Sequence, residues 1–136
     1  LYVTHKALAL RRAHEALFRE GTYIPLRITG PRSTHLLAFA RMLGDSYIIT
    51  AVPRLCFRLI GTRLPYPLGT EVWSSTRIEL PRALTSLVRA QGSLQNLLEG
   101  TTVPLSNDSA TPSLRVADVL TAFPVALLTD SRVPAT

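Results

Sequence analysis

Tyr47-Ile48-Ile49-Thr50-Ala51-Val52 decides the fold class of this chain. The stretch is β-branched or aromatic almost throughout, which suits a pleated, packed strand. It is apolar on both faces, so it belongs at the centre of a sheet. Pro53 cannot donate to a ladder and ends it. Working back towards the start, Leu43-Gly44-Asp45 is a turn, His35 to Ala40 a second strand and Gly30-Pro31-Arg32-Ser33 another turn. Tyr23 to Ile28 alternates and should form a hairpin with 35–40. Working forward, Leu55 to Ile60 extends the sheet and 61–72, with its Gly and Pro, is a loop. Thr76 to Leu80 is a strand closed by Pro81. Ala83 to Gln91 reads as a helical turn or an irregular excursion. Leu94 to Leu98 and Thr101 to Leu105 pair across the Glu99-Gly100 turn. After the polar loop 106–113, Val116 to Leu120 is a short helix or turn, and Pro124 to Leu128 is a last apolar strand.

Ahead of these strands lies one amphipathic helix, Tyr2 to Phe18, with Gly21 as its stop. The expected fold is therefore mainly β: an antiparallel, two-layered Greek-key-type sandwich of about seven strands, preceded by one α-helix. Val3, Ala7, Leu10, Leu17 and Phe18 share one side of the helix with Tyr2, Ala9, Ala13 and Ala16, while Arg11, Arg12, Glu15 and Arg19 share the other. This apolar arc is wider than the roughly 100° stripe of an ordinary surface helix. Nothing ahead of Tyr2 caps the helix, Thr4 is the one candidate cap, and Ala7 stands where a capping box needs Glu or Gln. The expectation is a piece of a larger protein. Residues 1–20 would be a helix shared with a missing domain, 21–130 an antiparallel β domain and 131–136 a tail. Val3, Leu10, Leu17 and Phe18 would form the seam. Such a strip would be covered by the rest of the protein or by self-association.

Composition narrows the functional classes. With 136 residues, 46% of them hydrophobic, the chain is long enough for one folded domain and too apolar for disorder. No apolar run approaches the roughly 20 residues of a membrane span. The basic residues of the start lie inside the helix, not ahead of an apolar stretch, which is not a signal-peptide pattern. Cys56 is the single cysteine, so no intrachain disulfide forms, as suits a cytoplasmic protein. The net charge of +6 is almost all arginine, Lys6 being the one lysine. Apart from the adjacent Arg11 and Arg12, the arginines are spread singly, and they do not alternate with aromatics, which argues against a nucleic-acid surface.

Chemistry-bearing patterns are sparse. His5 and His14 fall about 180° apart on the helix and cannot share a metal. His35 has Ser33 and Ser46 as paper partners, without a nucleophile elbow. Asp45 and Asp108 sit in turns, where Asp is favoured locally. Cys56 beside Phe57 suits a buried structural thiol better than a nucleophile. No catalytic set, metal site or cofactor-binding motif is expected in this chain. Trp73 is the candidate sugar contact, weighed against core filling.

Six stretches resemble, in order, the C-terminal end of the maltooligosyltrehalose synthases, a family of the α-amylase superfamily. They are Leu1 to Arg12, Ala16 to Leu26, Gly30 to Arg41, Thr50 to Leu55, Leu68 to Pro81 and Val116 to Leu128. The chain departs from the family around Leu94 to Leu98, where an aromatic residue is more usual. The resemblance implies a parent enzyme, an intramolecular transglucosylase or glucosylmutase. It would turn the reducing-end α-1,4 linkage of a maltooligosaccharide into α,α-1,1, a step of trehalose formation. It would use a carboxylate nucleophile and a separate acid/base, both on a (β/α)8 barrel and none in this chain. Tyr2 to Phe18 would close that barrel, and Gly21 onward would be the β domain packed beside it. The barrel and, through it, the maltooligosaccharide are the implied partners, with no nucleic acid and no membrane. Two other readings remain at this point. A stand-alone carbohydrate-binding module would need exposed aromatics in a row, for which Trp73, Tyr66 and Tyr47 are the candidates. A basic nucleic-acid-binding domain would bind duplex with a steep salt dependence.

Overall fold

The structure is a computed structural model, and it describes residues 2–13, 15–44, 46–54, 73, 75–91, 94–105, 112–121 and 125–130. The expected strand at 55–60 and loop at 61–72 lie outside the described residues, as does the tail. Helix α1 (Tyr2–Ala13) and helix α2 (Glu15–Glu20) form the N-terminal part. The Gly21 N–H donates to the Leu17 carbonyl at 2.9 Å, closing the last turn of α2. The larger sheet holds β1 (Thr22–Pro25), β3 (Leu36–Leu43), β4 (Ser46–Pro53), β6 (Leu94–Asn96), β7 (Thr101–Val103) and β9 (Ala126–Asp130), in the order β1-β3-β4-β9-β6-β7. The smaller sheet is β2 (Arg27–Thr29), β5 (Arg77–Glu79) and β8 (Ser113–Arg115), in the order β2-β5-β8. Every strand pair is antiparallel. The fold is thus a mainly antiparallel β domain of two sheets behind an N-terminal helical segment, as expected from the sequence.

The central strand is β4, which pairs with β3 on one side and β9 on the other. It is joined to β3 through Gly44 at φ 60°, the left-handed region open to glycine. β9 returns over a long connection and fits between β4 and β6. The sequence placed one strand at Tyr23 to Ile28. The chain instead changes sheets at Leu26: β1 pairs with β3, while β2 pairs with β5. Leu26 itself is buried, and its N–H donates to the Ala38 carbonyl at 3.0 Å.

The core lies between the sheets. Ala38, Ala40, Ile49, Ala51 and Leu128 face inward from the larger sheet, and Ile78 and Leu114 from the smaller. Helix α3 (Arg82–Gln91) adds Leu84 and Val88, four apart on one face. This segment is a regular helix rather than an irregular excursion. It begins just after Pro81, whose carbonyl accepts from the Thr85 N–H at 2.9 Å and from the Thr85 hydroxyl at 3.1 Å. The short helix α4 (Val116–Val119) contributes Val116, Ala117 and Val119. The polar loop expected at 106–113 gives way at its last residue: Ser113 opens β8 and is fully buried, beside Leu114, which faces the core.

Asn96 ties two of these pieces together. It is fully buried, donating through Nδ2 to the Val119 carbonyl at 3.0 Å and accepting at Oδ1 from the Leu98 N–H at 3.1 Å. Replacing it by alanine removes both of these buried hydrogen bonds to the backbone, at ~1–3 kcal/mol each. Asn96→Ala is therefore expected to lower stability by about 2–4 kcal/mol, read as a lower urea midpoint with an unchanged slope.

Candidate functional site

The larger sheet has a second face, turned away from the main core. Because side chains alternate, the register places Tyr23 and Pro25 of β1, Leu37, Phe39 and Arg41 of β3, and Ile48, Thr50 and Val52 of β4 on this face together. One part of it is covered. Leu17 of α2 packs there with Ile48, Leu97, Leu98 and Leu127, a cluster separate from the main core. Arg41 donates to the Phe18 carbonyl at 2.9 Å and fastens the end of α2 to the sheet.

The other part is open. Tyr23 and Leu37 are each 52% exposed, and Leu8 of α1 is 47% exposed. The Tyr23 and Phe39 rings lie 5.2 Å apart, tilted by 34°. Between α1 and the sheet runs a groove of about 460 Å³. Its apolar walls are Leu8, Phe18, Phe39 and Leu127, and its polar ones Arg11, Arg41 and Thr50. A neighbouring hollow of about 430 Å³ shares Leu8, Arg11 and Phe18 and adds Arg12, Glu15 and Arg19. Arg19 pairs with Glu15 at 3.2 Å and with Glu20 at 3.9 Å, and all three side chains are largely exposed. Such pairs contribute little to stability.

The residues singled out in the sequence fall as follows. Leu17 is 3% exposed, its surface already covered by the chain's own sheet, so it is not part of an outward seam. Phe18 is half-buried against that cluster and borders the groove. The side chains of Val3 and Leu10 lie outside those described, although both residues are within α1. Leu8 belongs to neither face of the wheel reading, yet it is an exposed large apolar side chain among the described residues of α1. Trp73 is 0% exposed and belongs to the main core, which corrects its reading as a sugar contact: a ring with no accessible surface cannot stack on a ligand. Tyr47 is 1% exposed and is removed from the aromatic row for the same reason, and Tyr66 lies outside the described residues.

The catalytic readings of the sequence gain nothing from the geometry. His35 sits with Ser33 in a 3-10 turn, its Nδ1 lying 3.4 Å from the Arg54 carbonyl. Ser46 is at the opposite end of the β3–β4 hairpin, so the two serines and the histidine do not converge. His14, Asp45, Cys56, Phe57 and Asp108 lie outside the described residues. Among the described residues no group of three or more His, Cys, Asp or Glu is placed to hold a metal ion. No helix among them is long and apolar enough to cross a membrane.

This arrangement matches part of a maltooligosyltrehalose synthase. The solved structure of a mutant synthase from Arthrobacter ramosus aligns with 92% of this chain at a TM-score of 0.61 and 26% sequence identity. The chain spans 13% of the length of that synthase chain. No family model and no curated protein sequence matches the chain. The sequence resemblance therefore has a structural counterpart over nearly the whole chain.

Proposed function

We propose that this chain is the C-terminal, noncatalytic β domain of an enzyme that isomerises the reducing-end α-1,4 linkage of maltooligosaccharides to α,α-1,1. The alignment with the synthase over 92% of the chain carries the reading. The parent would hold its nucleophile and acid/base on a (β/α)8 barrel, outside the residues described here, and would act in the cytoplasm. The role of this domain is to cover apolar surface of the barrel and to shape the outer part of its cleft. Its outward seam runs through Leu8, Phe18, Tyr23, Leu37 and Phe39, in place of Leu17. Exposed apolar surface of this kind marks interaction sites.

The full-length protein containing this chain is expected to convert maltopentaose to a product with a terminal trehalosyl unit, which is non-reducing. The 136-residue chain by itself is expected to leave maltopentaose unchanged. Loss of reducing ends and the product's chromatographic position read both results. A trehalosyl product from the chain alone overturns the noncatalytic role; none from the full-length protein overturns the assignment.

A further inference from the structure

We infer that the groove between α1 and the larger sheet receives an apolar protein segment flanked by carboxylates, contributed by the remainder of the parent chain. The inference deepens the proposed function and rests on its claim that this chain is part of a larger enzyme. Three observations carry it.

The first is the composition of the groove. Its floor is apolar, with Leu8, Phe18, Phe39 and Leu127, and it continues along the sheet to the exposed Tyr23 and Leu37. A patch of this kind, rimmed by polar groups, is typical of an interface rather than of a free surface. A strand or helix carrying a few large apolar side chains would fill it.

The second is the charge of the rim. Arg11 borders both hollows, Arg12 the second and Arg41 the first. Arg19 is engaged by Glu15 and Glu20, whereas Arg11 and Arg12 make no ion pair among the described residues. An apolar occupant alone would strip water from these guanidinium groups and return nothing for it. Carboxylates meet guanidinium groups with paired, charge-assisted hydrogen bonds and fix the register of the contact. The hydroxyls of an uncharged glucan accept hydrogen bonds from a guanidinium group but leave its charge unneutralised.

The third observation concerns where the occupant comes from. A second copy docking by the same face would set one patch against itself across a two-fold axis. That patch holds Arg11, Arg12, Arg19 and Arg41 against Glu15 and Glu20, so like charges would face each other. The aligned synthase instead has a chain of which this fold covers only 13%, and the remainder is available to dock.

The test uses the full-length parent protein with Arg11→Lys and Arg12→Lys, treated with a carbodiimide that joins an amine directly to a carboxylate. Mass spectrometry is expected to find an amide between residue 11 or 12 and an Asp or Glu outside residues 1–136. Hydroxyl-radical labelling of the unsubstituted parent gives a readout free of mutation. Oxidation of Tyr23 and Leu37 is expected to fall well below half its rate in the urea-unfolded protein, lower than their 52% exposure in this chain would give. Absence of that cross-link, or labelling at about half the unfolded rate, overturns the inference. Cross-links joining two copies, or protection gained only when maltopentaose is added, overturn it in favour of self-association or a glucan. Trehalosyl formation is scored separately, so a cross-link without activity sinks the functional proposal and leaves the docking surface standing.

Discussion

Trp73→Ala is expected to destabilise the chain by about 3–5 kcal/mol, the usual cost of truncating a buried aromatic residue to alanine. The indole is 0% exposed and heads the large side chains of the core. The Trp73 carbonyl accepts from the Thr76 N–H at 3.0 Å, so the residue also shapes the approach to β5. A domain stable by only ~5–15 kcal/mol loses a large share of its margin to such a change. Circular dichroism during urea unfolding is the appropriate probe, because the substitution removes the single tryptophan on which fluorescence would depend. A residue acting as a sugar platform would behave oppositely, leaving the unfolding midpoint nearly fixed and weakening glucan binding. An unchanged midpoint therefore overturns the placement of Trp73 in the core.

That contrast shows what the sequence was able to reveal. A lone tryptophan between Gly69 and Pro81 carries no periodicity, so its burial is decided by tertiary packing that local pattern does not encode. The strands β3, β4 and β9 were legible because their composition matches their places in the sheet. Ile49 and Ala51 face the core, and Ile48 packs under α2, so both faces of β4 demand apolar residues. The change of sheet at Leu26 was not legible. Ile24, Leu26 and Ile28 point towards the core while Tyr23, Pro25 and Arg27 point out, and this alternation runs unbroken through the transfer. A period of two records which way side chains face and nothing about which strand lies alongside.

The helical segment gave a mixed result for a related reason. A helical wheel groups residues by angle and does not say which part of an apolar arc its own domain will cover. Leu17 and Leu8 are nine residues apart, about half a turn around the wheel. The chain's own sheet takes Leu17 and leaves Leu8 exposed. The open surface is built by Tyr23, Leu37 and Phe39 together with Leu8, and it exists only once β1 and β3 are in register and α1 lies across from them. The available signal was Tyr23 at the start of a strand with Pro25 two residues on, both on the outward phase of the alternation.

Gly30→Ala is expected to cost about 3 kcal/mol or more, the sum of ~1–2 for a side chain held at positive φ and ~1–3 for overpacking. Gly30 has φ 109°, a conformation that residues with a Cβ rarely adopt. A Cβ there would lie 2.7 Å from the Thr76 Cα and 3.2 Å from the Ser75 carbonyl oxygen. Both obstacles are backbone, so no side chain can swing aside to make room. Thr76 is itself fully buried and joins several elements. Its hydroxyl accepts from the Arg32 N–H at 3.1 Å, its N–H donates to Trp73, and its carbonyl accepts from the Val116 N–H at 3.0 Å. Moving Thr76 disturbs the Gly30 turn, the Trp73 segment and the start of α4 at once. The effects of Gly30→Ala and Trp73→Ala should therefore combine non-additively, since both act through Thr76. A double-mutant cycle on urea midpoints measures this coupling. If the two costs simply add, Thr76 is not the shared link, and the smaller sheet tolerates its own displacement without help from the tryptophan.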